Sequence, residues 1–439
     1  MSLAGIFALR MLGLFMILPV FALYAENLES VTPLLVGVAI SAYGLTQAIL
    51  QIPFGILSDR WGRKPVITLG LLLFCIGSVV AALADNIYLV ILGRAIQGSG
   101  AIAAAVLALA ADLTAEENRT KAMATIGVSI GMAFALALVA GPVLDAWIGV
   151  PGIFWLTAVL ALVGIVVLWG VVPQPEAGAV TRVSIEGKFG DVLRDKDLLR
   201  LDVGIFILHM MLTAGFVVLP LILRDRLGMD SADHWQIYLP VLVFSLAIMV
   251  PFIVVAERRQ QMKEVFVGAV FLLGCSQLGL FFFNDLLWGL VASLLLMFTA
   301  FNVLEATLPS IISKMAPAAS KGAAMGVYTS SQFAGAFLGG LAGGYLHGQY
   351  GAPSVYLFCA IMIGLWVLVA MGMQHPPQLS RYLVEIGAMS GQQELALGEK
   401  MASIAGVSEA VIQDGVAYLK IDRKRFDEPA LKSLTEDIT

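Results

Sequence analysis

Glu305 lies in the run "AFNVLEATLPS", an acidic residue inside a stretch otherwise apolar enough to leave water. A carboxyl group withdrawn from water favours its protonated form, so it is suited to exchange a proton near neutral pH. Asn302 stands three residues earlier, on the same face of a helix. Three further polar groups sit in apolar runs: Arg10, Arg94 and His209. An arginine within a membrane span is costly unless it faces an aqueous cavity or a partner. Histidine has an ordinary pKa near 6.5, close to working pH. Together these residues fit proton binding and release rather than bond-making chemistry. The bland alternatives stay open: a permanently hydrogen-bonded Glu305, an Arg94 snorkelling to a helix end, a core His209. No nucleophile–base spacing, phosphate loop or metal cluster accompanies them, so the expectation is a non-enzyme without cofactor or metal.

A second charged cluster is "GILSDRWGRKPVI", which sets Asp59, Arg60, Arg63 and Lys64 between two apolar runs, with Gly55, Gly62 and Pro65. The glycines allow close approach and a tight turn, and Pro65 suits the first turn of a following helix. Asp112, at the end of a later run, is a candidate partner for Arg63. Tyr43, Gln47, Gln51, Tyr328 and Gln332 lie at helical spacing and are candidates for lining a cavity, or for gluing helices together.

These residues need elements to hold them, and composition says which. Of 439 residues, 59 % are hydrophobic and 13 % charged, against about 25 % charged in an ordinary soluble domain. The mean hydropathy is +0.90. Runs of roughly 20 apolar residues match a hydrocarbon core about 30 Å thick. Windowed hydropathy predicts twelve spans, near 3–24, 33–54, 66–84, 88–111, 121–144, 151–172, 200–223, 235–256, 264–283, 286–311, 321–346 and 352–374. On these boundaries Glu305 is the one acidic residue well inside a span. It lies about six residues, roughly 9 Å, from the cytoplasmic end of its helix. With an inner N-terminus, fifteen basic residues fall in inner loops and two, Arg224 and Arg226, in outer ones. That asymmetry predicts both termini in the cytoplasm. The N-terminal run lacks a basic leader and a cleavage site and reads as a first span. Cys75, Cys275 and Cys359 are expected to pack as buried hydrophobes.

The polar stretch after Gln174 divides the spans six and six. "GIFALRML" at Gly5 matches "GIFILHMM" at Gly204, placing Arg10 opposite His209, and "LLFC" ending at Cys75 matches "LLGC" ending at Cys275. Asp59-Arg60 pairs with Glu257-Arg258 at a similar offset, which argues for duplication. Two parallel six-helix repeats place a substrate site at their interface near mid-membrane. The expected fold is therefore an all-α polytopic membrane protein. Residues 1–173 and 200–374 form two pseudo-symmetric six-helix bundles, and 174–199 link them.

The motif from Gly55 to Lys64 resembles the signature of the major facilitator superfamily between helices 2 and 3. "LGRAIQGSGA" resembles its helix 4 pattern through Arg94, Gln97, Gly98, Gly100 and Ala101. The resemblance implies that Arg94 belongs to the central cavity and to proton coupling. It also implies that Asp59 sits against the start of helix 11, latching the halves in the outward-facing state. "ALVAGPVLDA" supplies Gly141 and Pro142 of the exporters' helix 5 pattern but has Asp145-Ala146 where the closing glycines belong. The whole resembles the drug:proton antiporter branch. "RMLGLFMILPV", "FNVLEATLPS" and the polar tail together look like those of YajR-type transporters, which implies a cytoplasmic C-terminal domain.

Residues 375–439 contain no spanning run. Their patterning predicts strand, helix, a hairpin around Asp414-Gly415, then a second helix, a small α+β ferredoxin-like domain. It lacks cysteine, which excludes thiolate metal binding. Its expected role is a ligand-binding or regulatory module, or self-contact and stabilisation. Three functions remain on the sequence. The first is proton-coupled export of hydrophobic or amphipathic small molecules by alternating access. The others are proton-coupled import of a small metabolite, and a transporter-derived sensor signalling through the tail. The expected partners are the inner-membrane bilayer, a small substrate and protons, and no nucleic acid.

Overall fold

Prolines and glycines punctuate the apolar runs, and several of the breaks follow from them. The structure is a computed structural model describing residues 2–114, 116–174, 189–259, 261–316, 321–375, 379–387, 391–413, 415–422 and 425–436. The run expected as one helix over 3–24 is divided into α1 (Ser2–Phe15) and α2 (Phe21–Ala25). Pro19 in the intervening turn lacks an N–H and crowds the preceding carbonyl. Thr32 caps α3 (Pro33–Trp61), its hydroxyl accepting from the Leu35 N–H at 3.2 Å. Gly62, at φ 91°, joins α3 to α4 (Arg63–Ala82), a backbone state that favours glycine.

The next run breaks into α5 (Ile87–Ser99) and α6 (Ala103–Asp112). There Gly100 lies so close to Gly70 that a Cβ would stand 3.2 Å from the Gly70 Cα. Helix α7 (Glu116–Gly170) covers the expected fifth and sixth spans and leaves helical geometry at Gly149, φ 67°, just before Pro151. The short α8 (Phe189–Val192) precedes α9 (Lys196–Asp225). The Asp195 side chain caps α9, accepting from Asp197 and Leu198 N–H at 2.9 and 3.2 Å. The helix therefore starts four residues before the expected boundary.

The remaining membrane helices are α10 (Trp235–Arg258), α11 (Met262–Phe282), α12 (Leu287–Met315), α13 (Lys321–Tyr350) and α14 (Ala352–Met371). Among the described residues, nine stretches are long and apolar enough to cross a membrane. Three expected spans escape that count for separate reasons. The α1 piece is too short alone, α7 counts once across its Gly149 break, and α13 is diluted by glycine and polar residues.

That dilution has a packing purpose. One face of α13 rests on α9 through Gly335, Gly339 and Gly343, against Phe206, Met210 and Ala214, so the two helices run parallel. Its other face meets α3, Gly340 against Gly37 and Gly344 against Pro33, and continues to Gly326 beside Ile52. Small residues let backbones approach where lipid supplies no hydrophobic drive. Of the cysteines, Cys359 is buried and Cys75 half-buried, whereas Cys275 is exposed, which corrects its expected burial. Cys275 lies on the outward face of α11, one of the helices whose apolar surface the bilayer must cover.

The tail consists of β1 (Leu379–Glu385), α15 (Gly391–Ala402), β2 (Val407–Gln413), β3 (Val416–Asp422) and α16 (Glu428–Glu436). The sheet order is β1-β3-β2, antiparallel throughout, with Leu379 opposite Asp422 and Gln413 opposite Val416. Ala417, Leu419 and Ile421 alternate inward onto Leu397, Met401 and Leu431. Asp414 of the expected hairpin turn, and the linker over 175–188, lie outside the described residues.

Candidate functional site

His209 is where three helices meet. It projects from α9, and its Nδ1 lies 3.3 Å from the Ile205 carbonyl of the preceding turn. An N–H directed at that carbonyl leaves Nε2 as the acceptor. Gln332 on α13 donates its amide to Nε2 at 2.8 Å. Glu305 on α12 brings Oε1 to 3.3 Å from the same nitrogen. Oε1 has no hydrogen-bond partner among the described residues, so this is a close approach of two titratable groups. The Phe301 ring, 6.0 Å from the imidazole, covers the pair. Asn302 turns aside and donates to Ser245 Oγ on α10 at 3.2 Å. Glu305 keeps 33 % of its side chain exposed and His209 14 %, so the carboxylate is the member nearer solvent. Because α12 runs on to Met315, Glu305 is ten residues from that end rather than six.

The first half carries the opposite charge. Arg10 and Arg94 are 1 % and 2 % exposed. Arg94 donates to Gln97 Oε1 at 2.8 Å and to the Ile40 carbonyl at 3.2 Å, which makes it an inward-facing group rather than a snorkelling one. Arg10 donates to Gln47 Oε1 at 3.0 Å and to the Gly100 carbonyl at 2.7 Å, the carbonyl freed where α5 breaks. Gln97 passes the chain to Ser78, and Gln47 to Gln51. Tyr43 lies against both guanidinium groups, 5.7 Å from Arg10 and 5.4 Å from Arg94. Its ring also meets Phe333 of α13 at 5.9 Å, so this cluster touches the other half directly.

At the Gly62 end, Arg63 bonds Asp59, Ser58 Oγ at 2.8 Å and Asp112 at 3.2 Å. Lys64 donates to the Val172 carbonyl at 2.5 Å, closing the end of α7, and packs over Trp169. Arg60 is exposed. Gly55 faces Ala104 across a gap a methyl group just fills. Asp59 is 64 % exposed and sits seven residues beyond the Ile52–Gly326 contact, where α13 begins. Gly141, followed by Pro142, packs α7 on the α1–α2 turn; a Cβ there would meet the Met16 carbonyl at 2.5 Å.

The sequence reading missed two groups. Asp202 is 5 % exposed inside α9, although the expected boundary placed it at a helix end. At the opposite end of the bundle from Asp59, Arg224 of α9 forms a two-pronged bond to Glu26, at 2.5 and 2.9 Å, joining the two halves.

The Major Facilitator Superfamily profile matches residues 3–338 and, in a second match, 263–390. The chain belongs to that superfamily. It is a membrane transporter of this class and resembles the Inner membrane transport protein YajR of Escherichia coli K12. The two are 46 % identical over 427 residues, 96 % of this chain and 94 % of YajR. An uncharacterized transporter of Buchnera aphidicola subsp. Acyrthosiphon pisum is 34 % identical over 77 % of this chain and 87 % of its own. Among solved structures, a bacterial homolog of the human lysosomal transporter Spinster, described as inward-facing and occupied, superposes with TM-score 0.70. It is 11 % identical and covers 84 % of this chain and 95 % of its own. The human organic anion transporter MFSD10 gives 0.64 at 18 % identity, covering 84 % of this chain and 98 % of its own. At those identities the superpositions report the superfamily fold alone.

Proposed function

We propose that the chain is a proton-coupled exporter of hydrophobic or amphipathic small molecules, working by alternating access in an inner membrane. The observation that carries this reading is the 3.3 Å approach of Glu305 Oε1 to His209 Nε2, with Gln332 holding the imidazole from a third helix. One proton shared by groups on α12 and α9 ties their relative position to protonation, which is what a coupled cycle requires. The buried arginines of the first half set the opposite charge across the seam, and Arg94 with Gln97 fixes α5 against α3. On this reading the helices make twelve crossings in two six-helix bundles, the α7 break at Gly149 being a loop between two of them. The Asp59 end and both termini face the cytoplasm, and Asp59 with Arg63 forms a latch that engages α13 in another state of the cycle. The tail is a ferredoxin-like half-sandwich.

The test is substrate-dependent proton flux in proteoliposomes carrying an internal pH dye, under an imposed gradient and across a panel of amphipathic compounds. The wild type is expected to move protons against substrate, and Glu305→Gln to lose that movement. Co-directional flux overturns export in favour of import. Full flux in Glu305→Gln overturns the coupling site.

A further inference from the structure

Asp202 has no role in the pair described above, yet its surroundings are unusual for a carboxylate. It is 5 % exposed, and both of its Oδ atoms are shielded without a hydrogen-bond partner among the described residues. It stands seven residues before His209 on α9, two turns or about 10 Å toward the Asp59 end and on the same face. Among the described residues, the neighbouring elements offer something other than a free cation. From its own helix, Arg200 turns to Asp197 at 2.7 Å, and His209 is engaged by Gln332 and Glu305. From α13 comes Tyr328, 4 % exposed, whose hydroxyl is likewise without a partner. The two carboxyl groups that act electrostatically on Tyr328 are Glu305, from α12, and Asp202. From α14, the Trp366 indole packs on Gly204, its N–H also unpaired. A carboxylate buried without cation or donor is strongly disfavoured relative to its acid. Such a group carries charge only transiently.

We propose that Asp202 is a second proton-carrying carboxyl of the transport cycle, linking the Glu305–His209 pair through Tyr328 to the Asp59 end of the bundle. The inference rests on the proton-coupled reading above. When Asp202 has released its proton to solution, a turn of the Tyr328 side chain brings its unpartnered hydroxyl within hydrogen-bond reach, and it donates its proton to the Asp202 carboxylate. The phenolic oxygen takes one from the Glu305 acid, leaving a Glu305 carboxylate and a neutral tyrosine. One proton has then moved two turns along α9 with no net change on Tyr328.

The test needs no substrate. Full-length protein in lipid nanodiscs is followed by time-resolved infrared spectroscopy of carboxylic-acid C=O bands after a jump from acid to alkaline pH. Material labelled with 4-13C-aspartate separates aspartate from glutamate bands without any mutation. The wild type is expected to show one buried aspartate band and one buried glutamate band, with the aspartate band decaying no later than the glutamate band. Asp202→Asn should remove the aspartate band and slow decay of the glutamate band at least tenfold. Tyr328→Phe should slow it similarly while keeping both bands. An absent aspartate band in the labelled wild type, or unslowed glutamate decay in Asp202→Asn, overturns the role of Asp202 and leaves the Glu305–His209 reading standing. A wild type without the glutamate band removes both.

Discussion

Tyr43 shows what a single residue holds together in this transporter. Two guanidinium groups lie against its ring, and its hydroxyl is coupled to Arg10. Tyr43→Phe keeps the ring and should lower the melting temperature less than loss of the ring does. Tyr43→Leu removes two cation–π contacts of about 0.5–2 kcal/mol each and should lower thermal stability in lipid measurably, read by fluorescence-detected size exclusion after heating. Gly62→Ala forces a Cβ into a φ of 91° and should cost about 1–2 kcal/mol by the same assay. Some of this is legible in the sequence. The three-residue spacing of Arg94 and Gln97 anticipates their bond, and the place of Asp112 at the end of its run anticipates its bond to Arg63. Asp202 was missed because its visibility depends on where α9 starts, and the Asp195 cap moves that start outward by a turn. Ser78 and Ser245 complete two networks, but a serine in an apolar run is too common to carry a signal.

Among the elements, α13 is packed on both faces by glycine. Gly340→Val should drive a branched side chain into Gly37 and Ser41 and separate α3 from α13. The expected outcome is loss of folded protein, or a population trapped with the Glu26 end open, read as increased alkylation of a cysteine introduced at Thr32. Gly127→Ala and Gly131→Ala, where a Cβ meets nothing within 4 Å, should be silent in the same assay. Windowed hydropathy places this helix at 321–346, although the glycines that make it a packing core dilute its apolar signal. The spacing of those glycines, four residues apart on each of two faces, was present in the chain. What it lacked was any indication of which neighbours they meet.

At the scale of the whole molecule, the internal repeat predicts two halves, and one ion pair runs between the stretches of chain that it divides. Arg224 reaches from the second half to Glu26 of the first, both side chains part-exposed. An exposed pair contributes about 0–1 kcal/mol, enough to shift a two-state equilibrium by up to about fivefold. Glu26→Gln should therefore broaden the distance between spin labels at N27C and D230C toward longer values, measured by double electron–electron resonance. High salt should do the same to the wild type, because partly exposed pairs are screened. The long-range contact between residues 26 and 224 has no local signature, since nothing in either segment names the other. The order of elements in the tail, by contrast, is legible in the sequence, because β3 alternates cleanly and Gly415 supplies the turn before it.

The claim on which the account turns is that Glu305 and His209 share the coupling proton. The most direct measurement compares two modes in the same proteoliposomes: substrate exchange without a gradient, and substrate-driven proton movement. Glu305→Gln should retain exchange, because a permanently neutral side chain still lets the halves rock, and should lose proton movement. Retention of both would contradict the account.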